Sequence, residues 1–198
     1  MSICDYCSKR ERRTFGEPGV KVLSAVYRRS GQVGAQASTD TKDSQLTIEE
    51  LLAREAVRDT IARFTRASDS GRTEETAEQF HLHGEFVDSR GHHGSGRAAI
   101  LAMLNSWTGS APPVKHADTK PVLRHFTSNT QFVAVKPDRI EAITYFCSMT
   151  AVGNDHWGRY FDVFEPHGKL WLFSRRAVKI EGYAEGGWYH TNRSWPQS

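Results

Sequence analysis

Residues 131–180 read QFVAVKPDRI EAITYFCSMT AVGNDHWGRY FDVFEPHGKL WLFSRRAVKI, and their pattern decides the fold. Four runs dense in β-branched and aromatic residues, 131–135, 140–150, 157–164 and 170–180, are separated by Lys136-Pro137-Asp138, Gly153-Asn154-Asp155 and Pro166-His167-Gly168. Proline presets φ, glycine admits positive φ, and Asp or Asn hydrogen-bonds its own backbone, so these triplets are turns. Connections this short cannot carry a crossover, and the strands they join pair antiparallel. Residues 123–126 and 85–88 supply two further strands.

Upstream, the apolar period changes to that of a helix. Thr47-Ile48-Glu49-Glu50 places a hydroxyl at an N-cap and a Glu three residues on, a capping box that satisfies the free amides of a helix start. Ala53, Ala56, Val57, Thr60, Ile61, Phe64, Ala67 and Ser68 then recur at three and four, with Arg54, Arg58, Asp59, Arg63 and Arg66 opposite, and the helix stops at Gly71. A second helix runs from Thr73 to about Phe80, and a third covers 95–107 around Ala98, Ile100, Leu101 and Leu104. The order predicts an α+β domain over 45–182, with about three helices wrapped by a highly curved, mixed but mainly antiparallel sheet in a cone-shaped barrel. Residues 1–44 are expected to be a flexible basic extension, because 30–40 is small, polar and aperiodic. Residues 183–198 are expected to be a C-terminal tail.

Composition narrows the function classes. The 198 residues suffice for one well-buried core, and no apolar run is long enough to span a bilayer. Residues 1–44 hold 8 Lys or Arg against 5 Asp or Glu, which accounts for the whole net charge of +3 and leaves the folded part neutral. A nucleic-acid binder carries its basic face on the folded domain, so neither nucleic acid nor membrane is an expected partner. Cys4 and Cys7 have the spacing of half a zinc site, but no second pair follows. No secretory leader is evident, and the cytoplasm is the expected location. Phosphate-cradling glycine loops and nucleophile elbows are absent from the sequence.

Two residues carry the chemical reading. Asp69 ends the first helix and His125 opens the strand region. A carboxylate that orients an imidazole makes a general base without metal or cofactor, because it fixes the ring tautomer and stabilises the imidazolium formed on proton abstraction. The residues alone leave another reading open: Asp69 beside Ser70-Gly71 as a helix cap and His125 as a structural histidine. Tyr160, His156 and Tyr145 are candidates for the acid or for orienting substrate, and Phe64, Phe80, Phe86, Met103 and Trp107 are candidates for lining a pocket. His81, His83, Glu85, Asp88, His92 and His93 could offer imidazole and carboxylate to a metal, but a loop this rich in His and Gly is more often solvated, and no metal is assigned.

The segments 51–59 leading to Asp69, Gly96-Arg97-Ala98-Ala99-Ile100, Arg124-His125-Phe126-Thr127-Ser128-Asn129, Gly158-Arg159-Tyr160-Phe161-Asp162 and 168–176 follow one another as they do in a known family. Together they cover about 46–182, and the chain resembles the SnoaL-like branch of the nuclear transport factor two-like superfamily. The resemblance implies a conical α+β barrel with a deep apolar cavity, a homo-oligomer (dimer or trimer), and cofactor-free chemistry on a small-molecule substrate. It sets Asp69 and His125 where scytalone dehydratase-like and hexachlorocyclohexane dehydrochlorinase-like enzymes carry an Asp-His pair. The Tyr or Lys common in such enzymes one helical turn before the Asp is here Phe64. The expected function is a lyase acting on an apolar hydroxylated or halogenated ring, with isomerase or cyclase chemistry, or a non-catalytic module like a ring-hydroxylating dioxygenase β subunit, as alternatives.

Overall fold

A computed structural model describes residues 46–107, 123–150 and 153–192; residues 1–44, with Cys4 and Cys7, lie outside them. Helix α1 (Ile48–Asp69) opens on the expected capping box: Glu50 N donates to the Thr47 hydroxyl and Thr47 N to the Glu50 carboxylate, each at 3.1 Å. Its buried side chains, Val57, Thr60, Ile61, Phe64 and Ala67, belong to the apolar stripe read from the sequence. Gly71, at φ 68°, follows its last turn in the left-handed region, where glycine carries no Cβ penalty. After α2 (Thr73–Glu78) come β1 (Phe80–Asp88), β2 (His93–Ser95) and α3 (Arg97–Trp107), then β3 (Arg124–Lys136), β4 (Arg139–Thr150), β5 (Gly153–His167), β6 (Leu170–Tyr183) and α4 (Trp188–Asn192).

The strands form one six-stranded sheet in the order β2-β1-β6-β5-β4-β3. Every neighbouring pair is antiparallel except β1 and β6, which run parallel. The class is thus mixed α+β, as expected, but the curved sheet stays open, with β2 and β3 as its edges. Helices α1, α2 and α3 contribute Val57, Ile61, Phe64, Ala77, Ile100 and Leu104 to a core shared with Phe80, Phe86, Ile140, Ala142, Phe164 and Phe173 of the sheet. Burying one such large side chain stabilises the fold by about 1.5–3 kcal/mol. No described helix is long and apolar enough to cross a membrane.

Some boundaries differ from the sequence reading. The runs 123–126 and 131–135 are one strand, because Ser128-Asn129-Thr130 forms a bulge with Asn129 at φ 52° and the ladder resumes at Gln131. Strand β1 starts at Phe80 rather than 85, so the second helix ends at Glu78. Strand β2 is too short to show in the sequence. Residues 183–192, assigned to the tail, hold the last residue of β6 and helix α4.

Candidate active site

The last turn of α1 meets the first residues of β3. Asp69 Oδ1 lies 2.7 Å from His125 Nδ1, and the His125 backbone N–H donates to the same carboxylate at 3.1 Å (Oδ2) and 3.3 Å (Oδ1). Arg124 Nη1 donates to the Asp69 carbonyl at 2.6 Å and completes the clamp. The two side chains are only 10% and 18% exposed. Contact with the carboxylate assigns a proton to Nδ1 and leaves Nε2 with its lone pair; among the described residues Nε2 has no hydrogen-bond partner.

His125, Ser148 and His156 stand in one row across β3, β4 and β5. Backbones two strands apart are separated by about 9.5 Å, yet the two imidazole centroids are 6.5 Å apart with planes at 83°, so the rings converge over Ser148. The Ser148 hydroxyl is fully buried there and has no hydrogen-bond partner among the described residues. His156 repeats the arrangement of His125, with Nδ1 2.9 Å from Asp155 Oδ1. Burial pushes its imidazole below the ordinary value; the Asp155 hydrogen bond opposes this, and the charges of His125 and Arg90 add to the lowering. Burial thus favours the neutral ring, and the Asp155 contact places its proton on Nδ1 and leaves Nε2 able to accept a hydrogen bond.

Next along the same face, the Phe146 and Tyr160 rings stack at 4.3 Å and 6°. The Tyr160 hydroxyl makes no hydrogen bond among the described residues. Burial raises its pKa well above the usual phenol range, so it stays a neutral donor. Beneath it Arg176 donates to Asp162 twice, at 2.9 and 2.7 Å, with both side chains fully buried. The guanidinium also lies 4.1–4.3 Å from the centroids of Phe64, Tyr160 and Phe173. Burial raises the Asp162 carboxyl, and Arg176 pulls it back.

The structure brings Asp69, His125, His156 and Tyr160 together and leaves other candidates elsewhere. Tyr145 is 48% exposed on the opposite face, because Thr144 and Phe146 on either side of it point inward. Phe64 touches the site through Arg176. Phe80 has no accessible surface and packs on Phe64, Phe86 and Phe173, so it is core. Phe86 is buried against Trp107, and Met103 packs on the core. Of the remaining histidines, His92 bonds Asp88, His93 bonds Glu85 and His83 bonds Glu165. Among the described residues no group of three or more His, Cys, Asp or Glu is arranged to hold a metal. Asp155, which the sequence marks as a turn residue but the structure places in β5, and Ser148, Asp162 and Arg176 are not among the site residues the sequence predicts.

The family model of the SnoaL-like domain matches residues 49–177. The chain belongs to the SnoaL-like domain family. Solved structures share the SnoaL-like fold at low sequence identity. A Novosphingobium aromaticivorans protein assigned as a scytalone dehydratase is 17% identical at a TM-score of 0.60, over 70% of this chain and 91% of that one. A hexachlorocyclohexane dehydrochlorinase, LinA type 2, is 16% identical at 0.56, over 69% and 90%. The β subunit assigned to an aromatic-ring-hydroxylating dioxygenase of N. aromaticivorans is 14% identical at 0.55, over 68% and 92%. Comparison with curated protein sequences finds no match. The fold is thus shared by proteins named as a dehydratase, a dehydrochlorinase and a dioxygenase β subunit.

Proposed function

We propose that this chain is a cofactor-independent lyase that eliminates water or hydrogen halide from a small, largely apolar cyclic compound. The observation that carries this reading is the 2.7 Å contact of Asp69 with His125, whose ring lies 6.5 Å from that of His156 and 6.4 Å from that of Phe146, on which Tyr160 stacks. His125 Nε2 removes a proton from the carbon adjacent to the leaving group. The C–H pair becomes the second bond of an alkene and the C–O bond breaks. The departing hydroxyl takes the proton back from the imidazolium and leaves as water; a halide would leave as the anion, with the proton passing to solvent. Asp69 stabilises the imidazolium meanwhile. Tyr160 donates to a substrate oxygen, and the neutral His156 accepts from a substrate hydroxyl. No step calls on a cofactor. The rings of Phe146 and Tyr160 and the internal pairing of Arg176 with Asp162 suit a neutral, apolar ring.

The test is substrate loss, by mass spectrometry, from a panel of hydroxylated and halogenated alicyclic and aromatic compounds. Wild type should release water or halide, and His125→Gln and Asp69→Asn should abolish or severely cut this. Turnover that survives both substitutions overturns the dyad, and turnover without mass loss would mean isomerisation. The likeness to a dioxygenase β subunit favours one other reading, a non-catalytic module, under which no compound is consumed and His125→Gln alters stability or partner binding alone.

A further inference from the structure

Asp155 stands apart from the reaction outlined above, yet it is fully buried and heavily engaged. Its Oδ1 accepts from His156 Nδ1 at 2.9 Å and from Tyr189 N at 3.0 Å. Its Oδ2 accepts from Trp188 N at 2.6 Å and from the Thr150 hydroxyl at 3.5 Å. Its backbone carbonyl accepts from Ala184 N at 2.6 Å. One carboxylate therefore holds an imidazole and the first two amides of α4 at once. The helix returns the contact, because the Tyr189 ring stacks on His156 with centroids 4.9 Å apart and Trp188 lies 6.4 Å away.

We propose that Asp155 is a positioning residue that assembles the second half of the active site, fixing His156 in its Nδ1–H tautomer only while it seats α4 as the wall formed by Trp188 and Tyr189. The role of His156 toward substrate rests on the function proposed above; the coupling of Asp155, His156 and α4 does not. With α4 seated, the carboxylate is shared among amide, hydroxyl and imidazole donors, and the ring is shielded from water. With α4 displaced, two amide donors are lost and water reaches the ring, and both changes favour the imidazolium. The groups acting on His156 are Asp155, which favours its charged form, and His125 and Arg90, which oppose it.

Gly187 gives a way to move the helix without deleting any functional group. A Cβ there would lie 2.8 Å from Asp155 Oδ2 and 3.1 Å from the Ala184 carbonyl, so alanine must displace the carboxylate or the helix. The experiment is 15N NMR of the histidine rings in the full-length protein, with His156 assigned by its loss in His156→Gln. Wild type should show the Nδ1–H tautomer. Gly187→Ala should raise the titration midpoint of His156, and Asp155→Asn should abolish the tautomer preference; both should speed exchange of the Trp188 and Tyr189 amides at least tenfold. The proposal is overturned if wild-type His156 carries its proton on Nε2, or if either variant frees those amides while His156 titrates as in wild type. These readings need no substrate, so the coupling can fail while the lyase reading stands, and the reverse.

Discussion

Asp162→Leu would leave a guanidinium buried without its counter-charge. Asp162 and Arg176 have no accessible side-chain surface and share two short hydrogen bonds. Among the described residues Arg176 Nη1 is already buried without a partner and finds no spare acceptor to turn to. Breaking a buried pair from one side costs about 3–5 kcal/mol, and the surrounding rings offset none of the change, since they flank Arg176 in both proteins. In a domain of this size each kcal/mol moves Tm by about 2–4 °C, so the midpoint should fall by about 6–20 °C. Arg176→Met should cost a similar amount by stranding the carboxylate. The double variant should recover most of the loss, because replacing both charges by apolar groups is often neutral or better. Urea unfolding followed by tryptophan fluorescence at about pH 8 measures all four corners of the cycle. Asp162→Leu within about 0.5 kcal/mol of wild type, or a double variant as unstable as the sum of the singles, would refute the reasoning.

Three further outcomes are expected. Because burial holds His156 below its ordinary 6.5, the unfolded chain binds this proton first. Stability should therefore fall as pH drops below about 6.5, by at most about 1.4 kcal/mol per pH unit from this group. Urea unfolding at about pH 7.5 and 5.5 should show a drop that shrinks in His156→Gln, and an undiminished drop would count against it. Tyr160→Phe keeps the stack on Phe146 and removes a hydroxyl that has no hydrogen bond among the described residues, so stability should hold or rise by about 1 kcal/mol while turnover falls tenfold or more; thermal melts and initial rates separate the two. Gly158→Ala would set a Cβ 1.9 Å from the Lys179 carbonyl, and denaturation should show a loss above about 3 kcal/mol.

Local chemistry was the legible part of this sequence. The capping box at Thr47 and Glu50 and the turns at Pro137-Asp138 and Gly168-Lys169 work through neighbouring residues, so they show in the chain itself, whereas Gly153-Asn154-Asp155, read as a turn, opens β5 and pairs with the end of β4. Position alone marks Asp69 as a helix-end carboxylate and His125 as a strand-start imidazole; the family resemblance is what pairs them, and the structure sets them 2.7 Å apart. Arg176 was hidden by a register shift. Strict alternation from Trp171 and Phe173 would turn Arg175 inward, but Phe164 pairs with Phe173 and Val163 with Arg175, so Ser174 is skipped and Arg176 takes the buried place. Asp162 sits in phase with Tyr160 and Phe164, and a charge in phase with buried positions is a signal that it has a buried partner. The role of Asp155 depends on a helix more than thirty residues later, which no local pattern announces.

The parallel pairing of β1 with β6 sets the order in which the molecule can be made. Glu85 and Arg175, joined across that seam at 2.7 Å, are 90 residues apart in the chain. On the ribosome α1, α2, α3 and β1 emerge long before the strand that pairs with β1, so Phe80 and Phe86 lack that part of the sheet until β6 has been made. Closing so long a loop slows folding and keeps the early half exposed to aggregation or to chaperones meanwhile. A chain cut before β6 would forfeit the seam, and with it the anchor of everything upstream.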